Sequence, residues 1–361
     1  MKVKLNFTAR LLCAFLVAWA HRCEWATAAP VGAAPPTYVG FMYIQGGGGD
    51  SQGLTLNSLT VGDHWSWEQH SACSYPNASI AMFGSHQASY APRRRLMYKG
   101  IMFGDDQHIL RISIAQGTWE LDCTVLPTKL PIPAGEYRMD IFPDQDPKEP
   151  KPTIVGALNG SPTTEYHLYE LHGEDSDKPE LKSLMVVKLK HQVQQVFGSY
   201  YDSTSQVEYI GFNEGHLFWD VEPCWILIVD VGNKKVLNAT YYEHESGYDI
   251  WWDPTLKSFF IPTMDDCAVN KTSCIQGVRP WTAAGGLGEV QRNMCIGGTA
   301  CFSFEVGYGY AFNPSNHTAV LYGGVSGWWW YDVTNAASDQ YEYDTVFVNN
   351  PVYIGDQSSR E

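Results

Sequence analysis

The fold is decided by residues 225–261, WILIVDVGNKKVLNATYYEHESGYDIWWDPTLKSFFI. This stretch contains four short apolar segments, WILIVDV, VLNATYY, YDIWW and SFFI. Polar turns at residues 232–235 and at Asp253-Pro254-Thr255 join the members of each pair, so the pattern predicts two β-hairpins laid end to end. Four short strands in succession make up one blade of a β-propeller, and the stretch therefore predicts a blade.

Other parts of the chain repeat this order of strand, polar turn and strand. The copies lie at residues 54–83, 109–125, 184–210, 308–322 and 328–333, with a further unit expected within residues 136–169. In the copy that begins at residue 184, LMVVKL takes the place of WILIVDV and His191-Gln192 is the predicted turn. The copies recur at intervals of about 40 to 75 residues, which brackets the ~40 to 50 residues expected for each blade.

These repeats predict an all-β chain that forms a β-propeller of six or seven four-stranded blades. Tandem β-sandwiches are the alternative, because regularly spaced turn signals are typical of both architectures. We favour the propeller because no linker or change in composition divides the chain into the two or three sandwiches that it would need. Strands at residues 38–44 and 345–348 are expected to complete one blade together and close the ring.

The N-terminus has the pattern of a secretory signal peptide. Basic residues precede the apolar run at residues 11–20, and small residues follow at 26–29. We therefore predict a signal peptide at residues 1–28, a Pro/Ala-rich leader at 29–37 and a single propeller domain at 38–356. No later segment approaches the ~20 uninterrupted apolar residues of a membrane span, so a secreted, extracellular protein is expected.

Five sequons fit this expectation of export, because N-linked glycosylation modifies Asn-X-Ser/Thr in secreted proteins. The acceptor candidates are Asn77, Asn159, Asn238, Asn270 and Asn316. Pro162 follows the second sequon and weakens it.

Cysteine usage also agrees with an oxidising compartment. Of nine cysteines, Cys13 and Cys23 lie in the predicted signal peptide. Spacing predicts three disulfides among the rest, namely Cys267 with Cys274, Cys295 with Cys301, and Cys73 with Cys123 as a link between adjacent units. Cys224 is left over and is expected to be a buried thiol.

The charge excludes some classes of partner. A formal net charge of −15 disfavours nucleic acids and anionic membrane surfaces, since both need a basic footprint on the protein. A carbohydrate or a small organic ligand remains compatible with this charge.

A metal site is not predicted, although one segment raises the question. His64, Glu68 and His70 share one face of a predicted strand, but the two histidines would be about 20 Å apart at ~3.3 Å per residue. Such a separation does not allow both to bind one ion.

Aromatic residues are the strongest compositional bias, at 14% of the chain. Neighbouring rings on a strand point to opposite faces, so some point away from the core if only one face packs inward. An exposed Trp or Tyr ring suits a sugar or a small aromatic ligand, whereas packing between blades is the simpler interpretation. The candidate ligand-binding residues are Trp252, Tyr308, Tyr310, Trp328 and Trp330.

These features predict a secreted glycoprotein that binds a carbohydrate or protein ligand through aromatic-rich loops on a propeller face. The alternative is a secreted propeller enzyme, a hydrolase or an oxidoreductase, with a pocket at the central channel. Such a pocket would use unmatched residues such as His64, His86, Asp105, His216 or Glu305. A structural extracellular protein is a third interpretation. Catalytic residues and cofactors are not identified by the sequence.

Overall fold

The structure is a computed structural model. It describes residues 37–43, 52–60, 66–80, 90–91, 94–115, 120–133, 139–143, 151–215, 222–265, 276–289, 292–293, 309–313, 317–322, 328–332 and 340–342. The chain divides into two units, Met1–Ala34 and Pro35–Glu361, and every described residue belongs to the second.

The described residues form six antiparallel sheets, each built from strands that follow one another in the sequence. Sheet 1 contains β1 (Thr37–Tyr43), β2 (Gln52–Thr60) and β3 (Ser66–Tyr75). Sheet 2 contains β4 (Ser79–Ile80), β5 (Tyr90–Ala91), β6 (Leu96–Phe103), β7 (Asp106–Ile114) and β8 (Leu121–Lys129). Sheet 3 contains β9 (Met139–Phe142), β10 (Thr153–Leu158), β11 (Thr163–His172) and β12 (Glu180–Val193).

The last three sheets continue this arrangement. Sheet 4 contains β13 (Gln195–Asp202), β14 (Val207–Asn213), β15 (Cys224–Asp230) and β16 (Lys235–Tyr242). Sheet 5 contains β17 (Glu245–Gly247), β18 (Trp251–Asp253), β19 (Ser258–Asp265), β20 (Gln276–Thr282), β21 (Gly286–Leu287) and β22 (Arg292–Asn293). Sheet 6 contains β23 (Gly309–Asn313), β24 (Thr318–Tyr322), β25 (Trp328–Asp332) and β26 (Gln340–Glu342).

Sheets 2 and 5 contain more than four strands, but each is four strands wide. In sheet 2, β4 and β5 both pair with β6 and together make one first strand in two pieces. In sheet 5, β17 and β18 share β19, and β21 and β22 share β20. The described part of the chain contains no helix. The prediction of an all-β chain with four-stranded sheets is therefore confirmed.

Each sheet packs face to face against the next. Apolar clusters join sheets 1 and 2 around Leu54 and Ile112, and sheets 2 and 3 around Tyr98 and Val155. Further clusters join sheets 3 and 4, and sheets 4 and 5. The Trp251 and Phe312 rings stack between sheets 5 and 6 with centroids 5.3 Å apart.

This packing identifies the β-propeller. Sheets 2 to 5 are covered on both faces, whereas a sandwich leaves one face of each sheet in water. The strand β10 accordingly has all six residues buried, while β16, at the outer edge of sheet 4, is mostly exposed. Tandem sandwiches are excluded for the described sheets.

The boundary of the template blade was predicted wrongly. WILIVDV and VLNATYY form β15 and β16, the last strands of sheet 4, whereas the segments after them form β18 and β19 of sheet 5. Only Glu243 and His244 separate β16 from β17, as few residues as a hairpin turn needs. A sequence of hairpins therefore does not show where one sheet ends and the next begins.

Most of the predicted copies are equivalent elements. Residues 200–210 contribute to the hairpin β13–β14, which corresponds to β18–β19 and β23–β24, and β25 matches β15 as a third strand. The copy at residue 184 was misaligned, because LMVVKL lies within β12, the fourth strand of sheet 3. His191-Gln192 is part of β12 and is not a turn.

A disulfide joins Cys73 of β3 to Cys123 of β8, as their spacing predicted. It links the outer strands of sheets 1 and 2, with the two Cα atoms 6.4 Å apart. Cys224 is a buried free thiol. The other four predicted disulfide cysteines and the predicted closing strand at residues 345–348 lie outside the described residues.

The Asp-Pro-Thr turn is stabilised by the side chain of Asp253, as the sequence predicted. Asp253 Oδ1 accepts hydrogen bonds from the backbone N–H groups of Thr255 and Leu256, both at 2.9 Å. The carboxylate therefore stabilises the reversal of the chain between β18 and β19.

Candidate functional site

Six polar residues from four neighbouring sheets are buried together, five of them on or beside the first two strands of their sheets. We call them the central polar cluster; they are Lys99 of β6, Asp140 of β9, Tyr166 of β11, Ser199 of β13, Glu208 of β14 and Asp249, which lies between β17 and β18. None exposes more than 5% of its surface. Buried polar groups are costly unless they are paired, so the contacts within the cluster decide its role.

Two hydrogen bonds cross the interface between sheets 3 and 4. Ser199 Oγ donates to Asp140 Oδ2 at 2.6 Å, and the Tyr166 hydroxyl donates to Glu208 Oε1 at 2.8 Å. A glycine at position 156 makes room for the second bond, because a Cβ there would lie 1.7 Å from the Tyr166 hydroxyl oxygen.

Asp249 is held by its own segment of chain. Its Oδ1 accepts from the backbone N–H of Ile250, and its Oδ2 accepts from the indole N–H of Trp251, both at 2.8 Å. A Cβ at position 198 would lie 2.8 Å from the Cα of Asp249. Gly198 of β13 therefore allows this segment of sheet 5 to approach the first strand of sheet 4.

The cluster contains three carboxyl groups and one amine, so it cannot hold all of its formal charges in a buried site. Burial raises the pKa of Asp249 to about 8, against the hydrogen bonds from Ile250 and Trp251. Burial also raises the pKa of Glu208 well above its ordinary value. Among the described residues, none makes a hydrogen bond with Glu208 Oε2, which agrees with a neutral carboxyl group.

The pKa of the Lys99 amine is shifted in the opposite direction, downwards. Burial lowers the pKa of Lys99 to about 8, although Asp140 and Asp249 act to raise it. An amine and a carboxyl group that both titrate near neutrality can donate and accept protons under physiological conditions. The cluster is therefore the first candidate site.

A second candidate site lies at the outer strands of sheets 3 and 4. We call it the aromatic patch and define it as His191 of β12, Trp225 of β15, Tyr241 of β16 and Glu214, which follows β14. The ring centroids of Trp225 and Tyr241 are 4.6 Å apart, and that of His191 lies 4.9 Å from Trp225. Tyr241 is 37% exposed, so the patch offers an aromatic surface to solvent.

Glu214 fixes the rings of the patch. Its Oε1 accepts from the indole N–H of Trp225 at 2.9 Å and also lies 2.9 Å from Nδ1 of His191. One carboxylate therefore orients two rings from neighbouring sheets. Such an arrangement combines a flat apolar surface with polar atoms at its rim.

Sequence reasoning missed both sites. The pairing of Trp225 with Tyr241 across β15 and β16 follows from the hairpin register and could have been found from the turn between them. His191 lies on a different sheet from Trp225 and Tyr241, and the members of the central polar cluster come from four sheets. No spacing in the sequence indicates either set of contacts.

The predicted ligand-binding residues are placed differently. Trp252 is partly buried between sheets 4 and 5, with its ring centroid 4.7 Å from Phe259 and 5.7 Å from Tyr200. Its contacts are those of packing between blades. Tyr310 lies on β23, and Trp328 and Trp330 lie on β25, but the structure does not describe their side chains. Tyr308 lies outside the described residues.

Of the residues predicted for an enzymatic pocket, only Asp105 belongs to the described residues. Asp105 lies exposed in the turn between β6 and β7, which makes it an unsuitable member of a buried pocket. His64, His86, His216 and Glu305 lie outside the described residues. The buried titratable groups at the inner strands are Lys99 and its neighbours instead.

The sequons differ in their surroundings. Asn77 is exposed in the turn after β3, and Asn238 is exposed on β16. Asn159 is half-buried, and its Nδ2 donates to Glu165 Oε2 at 2.9 Å. Asn270 and Asn316 lie outside the described residues.

Metal and membrane signals are absent from the part of the chain that the structure describes. There, no three His, Cys, Asp or Glu side chains are grouped as ligands of one metal ion. Glu68 and His70 of β3 approach each other to 4.0 Å. Within the same residues, no helix has the length and hydrophobicity of a membrane span.

Comparisons with known proteins support no family assignment. No protein-family model and no curated protein matches the sequence. The crystal structure of Saccharomyces cerevisiae Sqt1 has a TM-score of 0.41 at 10% identity, covering 88% of this chain and 76% of that chain. The structure of the Dos1 propeller has a TM-score of 0.42 at 9% identity, covering 86% and 68%.

A third similar structure is the β-propeller domain of Myceliophteria thermophila Cps50 (Swd1). It has a TM-score of 0.45 at 8% identity, covering 87% of this chain and 90% of that domain. All three TM-scores are below 0.5, and we transfer neither residues nor activities from them. The chain is similar to these propellers in fold alone.

Proposed function

We propose that the protein is a secreted glycoprotein that binds a carbohydrate through the aromatic patch. The observation that carries the proposal is the partly exposed surface of Trp225, Tyr241 and His191, fixed by Glu214. A propeller serves as a scaffold for binding a ligand or a protein, which makes a surface site of this kind a reasonable place for recognition.

The chemistry of the patch suits a sugar ring. The apolar face of a pyranose can lie against the Tyr241 ring, while the Tyr hydroxyl, the His191 imidazole and the Glu214 carboxylate can bond sugar hydroxyls. A formal net charge of −15 disfavours a polyanionic glycan, so a neutral carbohydrate is the expected class.

Replacing Tyr241 with alanine is expected to weaken carbohydrate binding about fivefold or more, because an aromatic anchor that a ligand covers contributes more than ~1 kcal/mol at a binding site. The purified protein would first be tested on an array of neutral glycans. Titration of the strongest glycan, followed by tryptophan fluorescence, would then compare the wild type with the variant.

Two matched variants control this test. Tyr241→Phe keeps the ring and should retain most of the binding. Leu256→Ala removes a side chain that is 44% exposed in the turn between β18 and β19 of sheet 5, and it should have no effect. Absence of binding to every glycan, or equal binding by Tyr241→Ala, would contradict the carbohydrate proposal. Binding of a protein instead would identify the other ligand class.

Export is tested through the sequons. In eukaryotic cells that secrete the protein, we expect Asn77→Gln and Asn238→Gln each to remove one glycan, because both side chains are exposed. Asn159→Gln should leave the mass of the glycans unchanged, because Asn159 is half-buried and Pro162 directly follows its sequon. Intact-mass spectrometry of the secreted protein measures all three, and retention of an unmodified protein in the cells would argue against export.

A second candidate function is an enzyme with its reactive groups at the inner strands. The observation that favours it is the buried Lys99 amine between Asp140 and Asp249. Brief treatment with acetic anhydride at pH 8, followed by peptide mapping, tests whether this amine can be reached. Faster acetylation of Lys99 than of exposed Lys235 would support a reactive site, and complete protection of Lys99 would count against it.

A further inference from the structure

The strand β16 is an unusually unprotected outer edge. It is the last strand in the order of sheet 4, and its residues 235–239 are all exposed. Val236 is 42% exposed and Leu237 is 47% exposed. An exposed edge strand with apolar side chains is a template on which a second chain can add a strand.

Two other outer strands, β12 and β8, carry features that protect an edge. The strand β12 presents the exposed Lys182, Lys188 and Lys190, and β8 contains Pro127, which has no N–H group to offer at an edge. In β16 the only charged residue is Lys235, at its first position. A bulge at Leu237 interrupts the pairing of β15 with β16, but it leaves this side chain in solvent.

A glycan acceptor stands in the middle of this strand. Asn238 follows Leu237 directly, and Thr240 completes its sequon. Asn238 Oδ1 accepts from the N–H of Ala239 at 2.8 Å, and Nδ2 points to the carbonyl of Ala283, 3.3 Å away in the turn after β20. The acceptor nitrogen therefore lies at the rim between the edge of sheet 4 and a turn of sheet 5.

We propose that an N-linked glycan on Asn238 covers the outer edge of β16 and prevents it from pairing with a second molecule. This inference rests on the proposed function, since it requires export through the compartment where N-glycans are attached. The Asn238 amide nitrogen attacks the anomeric carbon of a lipid-diphosphate oligosaccharide. The N–C bond forms as the C–O bond to the diphosphate breaks, and one amide proton is released to the solvent.

The glycan leaves the aromatic patch accessible. Asn238 pairs with Ile228, which belongs to the cluster between sheets 4 and 5, whereas Tyr241 pairs with Trp225 of the patch. Because side chains alternate along a strand, Asn238 and Tyr241 lie on opposite faces of β16. Shielding of the edge and binding at the patch are therefore compatible.

The test compares the full chain secreted from eukaryotic cells in matched variants. Asn238→Gln and Thr240→Ala both remove this glycan, and we expect a several-fold larger aggregated fraction in light scattering after size-exclusion chromatography. Thr240→Ser keeps the sequon and should stay monomeric. Asn77→Gln removes a glycan far from β16 in the sequence and should also stay monomeric.

A compensating variant separates edge protection from loss of folding. Asn238→Gln combined with Leu237→Lys should restore the monomer without the glycan, because a charge on an edge strand opposes pairing. Equal aggregation of Asn238→Gln and Asn77→Gln, or a monomeric Asn238→Gln variant, would overturn the inference. Absence of a glycan from Asn238, with glycans on other sequons, overturns this inference alone, whereas absence of glycans from all five sequons would overturn the proposal of a secreted glycoprotein as well.

Discussion

Replacing Asp140 with leucine is expected to lower the free energy of unfolding by roughly 3–5 kcal/mol, the cost of leaving a buried charge without its partner. Asp249 has a pKa of about 8 and is mostly neutral at pH 7, so it cannot replace the Asp140 charge beside Lys99. The Ser199 hydroxyl also loses its acceptor. Urea denaturation at pH 7, followed by tryptophan fluorescence, measures the loss.

A double-mutant cycle provides the control. Lys99→Met removes the amine and leaves the carboxyl group, and the double variant Lys99→Met/Asp140→Leu removes both. We expect the double variant to be more stable than Asp140→Leu, because no unpaired charge remains in the interior. Additive losses in the cycle would show that Lys99 and Asp140 do not depend on each other.

The stability of the protein is expected to fall as pH rises from about 5 to about 8. Asp249 has a pKa of about 8 in the folded protein and 3.8 in an unfolded chain, so only the folded state holds this proton in that range. Asp249 alone therefore lowers the free energy of unfolding by about 1.4 kcal/mol for each unit by which the pH rises, as expected for a group whose pKa is raised in the folded protein. Glu208 acts in the same direction, because burial raises its pKa too.

The variant Asp249→Asn isolates this effect. Its amide oxygen can still accept from the N–H of Ile250, but its NH₂ group cannot accept from the indole of Trp251, which costs about 1–3 kcal/mol at every pH. The advantage of the wild type over the variant should therefore shrink by about 1.4 kcal/mol per pH unit between pH 5 and pH 8. A constant difference across that range would show that Asp249 does not bind the proton.

Two other groups set the limits of this experiment. The pKa of Glu165 is lowered to about 2 by its bond to Lys188, so its stabilisation is lost only below its ordinary pKa of 4.5. The pKa of Lys99 is lowered from 10.5 to about 8, so the cost of burying its charge is relieved only as pH rises above 8. Measurements between pH 5 and pH 8 therefore avoid the titration of both Glu165 and Lys99.

The fold could be predicted because its signals are local. Apolar alternation, the Asp253 turn and the repeated hairpins each depend on residues close together in the chain. The structure confirms the Asp253 turn and the hairpins β15–β16, β18–β19 and β23–β24. The disulfide between Cys73 and Cys123 was also within reach, since adjacent sheets are adjacent in sequence. The boundary at Glu243 and His244 was not, because the link between two sheets is as short as a turn within one.

The candidate sites depend on a different kind of information. Trp225 and Tyr241 are brought together by one hairpin, so the register of β15 and β16 is enough to pair them. Lys99, Asp140, Ser199 and Asp249 lie on four different sheets, and nothing in their local sequence marks them as buried. Trp252 shows the converse, because its conspicuous sequence placed it among binding residues while the structure packs it between two blades.

The amino-acid sequence was sufficient for the all-β class, the four-stranded repeat and the residues that reverse the chain, because these follow from side-chain alternation and turn chemistry within a few residues. Only the tertiary structure decided which polar side chains lose water and meet one another. Burial and the contact of one sheet with the next are set by the packing of the whole propeller, and they shift the pKa values of Lys99 and Asp249.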